Sequence, residues 1–202
     1  PSPQPVTHFG FSSDKHTIKF RNISVQQPVT SKGADGYEAR EKKGLYAYQQ
    51  SWKLPATRSG SVVIEAQGEK DIMVGFNDKT TGTPLYDVVI GAADNTLTTI
   101  RKNGTIVSQT DNIDATVQDK LIPAFYWVSY HNGTISMGLG DKPGEDMLLA
   151  WSDPASQTPD ITTFGLSNNT GIINYSQIKT APAHKLDPQS FYQASTRKGA
   201  YE

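Results

Sequence analysis

At 202 residues, with 19 basic and 20 acidic side chains and a formal net charge of −1, the chain suits one sandwich or barrel, or at a stretch two small domains. Its charge balance excludes a nucleic-acid or anionic-membrane binder held by long-range electrostatics. Cysteine is absent, which excludes disulfides and thiolate metal sites and leaves folding to an apolar core that buries roughly 70% of the unfolded surface. No apolar run approaches the ~20 residues that cross a bilayer as a helix, so membrane insertion is not expected.

The chain opens on Pro1 rather than Met, so removal of an upstream segment is expected, and Pro1 to Pro5 reads as an extended arm. A strand is predicted at Thr17 to Val25, followed by a long exposed loop from Gln26 to Lys43. Strand candidates then recur near every ten residues, at Leu45 to Trp52, Ser61 to Gln67, Asp71 to Asn77 and Pro84 to Gly91, a spacing that suits a sandwich. Two Asn-Gly dipeptides come next, each between alternating runs. Asn103-Gly104 joins Leu97–Lys102 to Thr105–Gln109, and Asn132-Gly133 joins Phe125–His131 to Thr134–Leu139. Asn-Gly tolerates the two positive φ angles of a type I′ turn, whose twist matches the flanking strands, so two hairpins are predicted. Further strands are expected at Asp146 to Trp151, Asp160 to Leu166 and Gly171 to Ser176, and no segment shows the 3.6-residue period of a long helix. After Ile178 aliphatic residues thin out, and the end of the chain reads as a polar tail, disordered alone or docked on another surface.

The expected fold is therefore all-β, an antiparallel two-sheet β-sandwich of jelly-roll type with ten to twelve strands and little helix. Three parts are assigned: an arm, strand and loop over residues 1–43, the sandwich over 44–178, and the polar tail over 179–202. Tripeptides of the Asn-x-Ser/Thr kind at Asn22, Asn103, Asn132, Asn168 and Asn174 suit a secreted, extracellular protein. A chain rich in Asn, Ser and Thr also makes such matches by chance, and two of them fall in tight turns.

The run Tyr86-Asp87-Val88-Val89-Ile90-Gly91-Ala92-Ala93-Asp94-Asn95-Thr96 through Ile100-Arg101, the run Phe125-Tyr126-Trp127-Val128 through Asn132-Gly133-Thr134-Ile135-Ser136-Met137-Gly138, and Ala150-Trp151-Ser152-Asp153-Pro154 with Thr163-Phe164-Gly165-Leu166 stand in order. Together they resemble the domain named after farnesoic acid O-methyltransferase, over about residues 44–176. The departure is at Ala92-Ala93, where that family shows Gly followed by an aromatic residue. The family name implies a small-molecule methyltransferase, yet no Gly-rich loop stands between a strand and a helix to hold a nucleotide cofactor, and no cofactor is expected. The resemblance implies instead an extracellular or adhesive module that binds glycans.

The histidines His8, His16, His131 and His184 lack metal-ligand or triad spacing, and no Gly-x-Ser-x-Gly elbow occurs, so no catalytic residue is assigned. Asp111, Asn112 and Asp114 form a weak calcium candidate, with solvated loop acids as the plainer reading. Sugar recognition needs an aromatic platform and fixed polar groups, and Tyr126, Tyr130, Asn95, Arg101, Trp151 and Asp153 are the candidate ligand residues. In the strand from Phe125 to His131, Trp127 is assigned to the core with Phe125, leaving Tyr126 and Tyr130 as the accessible pair. Each polar candidate has a plainer reading: Arg101 stacks on a Tyr or caps loop carbonyls, Asp153 before Pro154 forms an Asx-turn, and Asn95 satisfies backbone amides of its own loop. Two uses stay open. One is a non-enzymatic module for a glycan or glycoprotein; the other is a structural subunit, homo-oligomeric or filamentous, whose arm and tail wrap neighbouring chains.

Overall fold

The structure, a computed structural model, describes residues 36–40, 48, 51–68, 70–77, 84–111, 122–155, 159–169 and 171–186. The predicted arm, the strand at Thr17 to Val25 and most of the loop and tail lie outside these residues. Twelve strands are described: β1 (Tyr37–Arg40), β2 (Ser51–Lys53), β3 (Ser59–Gln67), β4 (Ile72–Asn77), β5 (Tyr86–Gly91), β6 (Leu97–Lys102), β7 (Thr105–Thr110), β8 (Ala124–His131), β9 (Thr134–Leu139), β10 (Met147–Ser152), β11 (Thr163–Ser167) and β12 (Ile172–Ala181). They form two antiparallel six-stranded sheets. The first runs β1-β12-β3-β8-β9-β10 and the second β2-β11-β4-β5-β6-β7.

The two Asn-Gly turns adopt the conformation that their chemistry favours, with φ of 49° and 78° at Asn103 and Gly104 and 46° and 86° at Asn132 and Gly133. Each thereby fixes the register of its hairpin, Lys102 opposite Thr105 and His131 opposite Thr134. The link between β5 and β6 is α1 (Ala92–Asn95), a single turn in which Ala93, Asp94 and Asn95 all have positive φ. Asp and Asn tolerate the left-handed region; Ala pays a steric cost there from its Cβ.

The core lies between the sheets. Val62, Ile64, Tyr126, Val128, Tyr130, Ile135 and Met137 from the first sheet meet Ile72, Val74, Phe76, Tyr86, Val88, Ile90, Ile100, Phe164 and Leu166 from the second. Tyr175 of β12 ties the two layers: its hydroxyl accepts the Met73 amide at 3.0 Å and donates to the Ser167 carbonyl at 2.5 Å, and burial raises its pKa.

Two expectations are corrected here. The segment from Gln26 to Lys43 is not all loop, because Tyr37–Arg40 pairs with β12; the charged letters around it hid a short edge strand whose Ala39 is buried. The tail does not begin at 179 either. Strand β12 runs to Ala181, opposite Ser61, and stops where Pro182 has no N–H to continue the ladder. Residues 182–186 then turn onto the outer face of the first sheet.

Candidate functional site

Strand β8 sits at the centre of the first sheet with β3 and β9 beside it, and its alternation sorts side chains onto opposite faces. Tyr126, Val128 and Tyr130 point between the sheets. Trp127, Ser129 and His131 point outward, and this reverses the expected assignment of the tyrosines as the accessible pair. Tyr126 and Tyr130 are buried in the inter-sheet core, and Trp127 is buried on the other face. The strand is covered on both sides, so hydrophobicity alone did not mark the core side. Burial pushes the Tyr126 hydroxyl up to about 12 and raises that of Tyr130.

The outer face of the first sheet is built in rows by the strand registers. Ser59, His131, Thr134 and Ser152 form one row across β3, β8, β9 and β10. Ser61, Ser129 and Ser136 form the next, and Val63, Trp127 and Gly138 the third. Within the first row Ser59 Oγ lies 3.1 Å from His131 Nδ1, and Thr134 Oγ1 lies 2.9 Å from Ser152 Oγ. His131 is partly exposed; burial and then the nearby Lys185 lower its pKa.

Trp127 lies against Gly138, the residue directly across on β9, where an added Cβ would stand 2.6 Å from Cζ2 of the indole. Glycine thus lets the ring settle onto the sheet. The indole N–H donates to the Glu145 carbonyl at 2.7 Å, in the β9–β10 connection. Above the ring sits His184, centroids 5.7 Å apart and nearly edge-on at 68°. His184 is held from below: its amide donates to Ser129 Oγ at 2.9 Å and Ser61 Oγ at 3.3 Å, while Ser61 Oγ donates to the Pro182 carbonyl at 3.0 Å.

The remaining sequence candidates fall in other places. Tyr130, Trp151 and Asp153 gather around Tyr86, with ring centroids of Tyr86 5.7 Å from Tyr130 and 6.2 Å from Trp151. Asp153 accepts the Tyr86 hydroxyl, pairs with Lys102 Nζ at 2.6 Å and closes the expected Asx-turn by accepting the Ala155 amide at 3.0 Å. Burial acts to raise the Asp153 pKa, but the bonds from Lys102 and Tyr86 outweigh it and hold the carboxyl below its usual value. The Tyr86 hydroxyl moves up, through burial and its bond to Asp153.

Arg101 faces the outside of the second sheet, not this cluster. It grips Asp87, directly opposite on β5, and Tyr48 lies across Gly75 with its hydroxyl donating to the same carboxylate at 3.1 Å. Burial and then Asp87 raise the Tyr48 pKa well above its ordinary value. Asn95 does not bond its own loop as expected. Its Oδ1 is buried without a hydrogen-bond partner among the described residues, and Thr96 Oγ1 donates to the Ala93 carbonyl in its stead. Of the calcium candidates only Asp111 is described, while Asn112 and Asp114 lie outside; among the described residues no three His, Asp or Glu side chains gather as a metal site would require.

Sequence reasoning missed Ser59, Ser61, Ser129, His131, Thr134, Ser136 and Ser152 as one surface. The signal was present as polar residues at alternate positions of β3, β8 and β9, with Ser152 on β10, and it becomes one sheet face only once their register is known.

The fold and these faces define an antiparallel β-sandwich domain with one hydroxyl-rich sheet face. The chain belongs to the farnesoic acid O-methyl transferase family, whose model matches residues 42–175. A BTB/POZ domain-containing protein of Arabidopsis thaliana is 26% identical over 145 residues, 67% of this chain, and the chain spans only 18% of that relative. Among solved structures, a sialidase shares a TM-score of 0.48 at 8% identity over 72% of this chain and 15% of its own. Sheep galectin-11 gives 0.45 at 11% identity, covering 68% of this chain and 100% of that one, and the exoplasmic/lumenal domain of VIP36 gives 0.43 at 9% identity, covering 76% and 85%. No functional residue is carried over from these partial superpositions. No helix among the described residues is long and apolar enough to cross a membrane.

Proposed function

We propose that the domain is a non-enzymatic, secreted binding module for carbohydrate, and that its ligand face is the outer side of the first sheet. The observation that carries this reading is Trp127, seated against Gly138 and covered by His184, beside rows of hydroxyl and imidazole groups at Ser59, Ser61, Ser129, His131 and Thr134. An indole face packs against the C–H groups of a sugar ring, and side-chain hydroxyls and imidazole nitrogens exchange hydrogen bonds with sugar hydroxyls in fixed directions. Tyr126 and Tyr130 serve the core instead, and Trp151 and Asp153, on or just after β10, join the first sheet to Tyr86 of β5 and Lys102 of β6. A glycan array probed with the full chain tests the reading. Retained glycan signal that falls at least about tenfold on His131→Ala, with unfolding unchanged, supports it; an array without signal overturns it.

A second reading, the subunit of an assembly, draws on the strands β7 and β10. Each has one hydrogen-bonded neighbour among the described strands, and their Ile106 and Met147 are 49% and 42% exposed. Open edges of this kind accept strands from other chains. A solution mass above that of one chain by light scattering favours this reading.

A further inference from the structure

We infer that residues 182–186 form a strap that lifts from the first sheet without unfolding the sandwich and uncovers Trp127 for ligand; the inference rests on the proposed ligand face. Pro182 takes the chain out of the β3–β12 ladder, and the following residues cross the sheet over β3 and β8 to reach the β9–β10 connection. The His184 ring lies between the indole of Trp127 and Gly144, where an added Cβ would meet the imidazole at 2.6 Å. His184 therefore packs against the buried indole, the two ring planes 68° apart.

The anchorage is small for a cover of this length. Backbone atoms of Pro182 and His184 are held by the hydroxyls of Ser61 and Ser129, and among the described residues no ladder continues beyond Ala181. Pro182 and Lys185 are exposed, and Ala183, His184 and Leu186 are only partly buried. Few bonds set against the ordering of five residues give a segment that opens locally, ahead of the central strands. The hydroxyls that hold the strap's backbone are the ones that the sugar reading needs, so strap and ligand compete for the same donors and acceptors.

Residue-resolved amide hydrogen exchange on the full chain, paired with a glycan array run on wild type and His184→Gly, tests the strap. The His184 amide is expected to exchange at least about tenfold faster than those of Val128 and Tyr130, and His184→Gly to bind at least about tenfold more tightly than wild type. Exchange of His184 at the rate of Val128 overturns the strap whatever the array shows. Equal glycan binding by the two proteins overturns the competition. Fast exchange with no glycan bound by either protein supports the opening and overturns the carbohydrate reading.

Discussion

Asp87 and Arg101 face each other on adjacent strands of the second sheet and close a two-point ion pair, Arg101 Nε donating to Oδ1 at 2.8 Å and Nη2 to Oδ2. Both side chains are almost fully buried, 5% and 7% exposed, although they stand on the outer face. Removing one partner takes from the other the buried opposite charge that it pairs with. Asp87→Ala is expected to cost about 3–5 kcal/mol in urea unfolding, and a double-mutant cycle with Arg101→Ala to show strong coupling. Additive losses would mean that the pair does not act as a unit.

The second ion pair has a pH signature. The bonds from Lys102 and Tyr86 hold the folded Asp153 carboxyl below its ordinary value, so the unfolded chain binds its proton first as pH falls. Its contribution is present above pH about 4 and is lost as pH drops through the folded value. Asp153→Asn is expected to lower stability by about 2 kcal/mol at pH 7 and to flatten the acid limb of the stability curve, measured by urea unfolding from pH 7 to 3.

Gly138 is the floor under Trp127. A Cβ there would lie 2.5 Å from the Asp146 carbonyl and 2.6 Å from the indole, and the backbone oxygen cannot swing away. Gly138→Ala is expected to cost about 1–3 kcal/mol and to shift the Trp127 indole N–H resonance, read by thermal unfolding and NMR.

Ala93 holds φ 50° and ψ 58° inside a left-handed turn, with its Cβ close to the following carbonyl. Ala93→Gly relieves that contact at some cost in unfolded-state entropy, and a net gain of about 0.5–1 kcal/mol is expected in chemical denaturation.

Tyr130 separates the two accounts of β8. Its ring packs on Phe76 and Tyr86 at centroid distances of 5.6 and 5.7 Å. Tyr130→Ala is expected to lose about 3–5 kcal/mol of stability while the folded fraction keeps its glycan binding, measured on the same array after correction for unfolded protein.

The hairpins, the sandwich and most strand positions were legible because Asn-Gly turns and period-two alternation act locally. The edge strand Tyr37–Arg40 was not, since four residues with two charges carry too little apolar signal. The face of Trp127 was misassigned because Phe125 beside it suggested a core, whereas the polar Ser129 and His131 on the same side marked the outer face. The ion pair of Arg101 was hidden for another reason: Asp87 lies fourteen residues away and becomes its neighbour only through the register of β5 and β6. The strap was the least legible, since its role depends on where β12 ends.

The central claim is that ligand meets the outer face of the first sheet, and chemical-shift mapping of the full chain with an array-positive oligosaccharide tests it most directly. Shifts gathered at Ser59, Ser61, Trp127, Ser129, His131 and Thr134 are the expected result. Shifts confined to the edges at β7 and β10, with these residues unmoved, would contradict it.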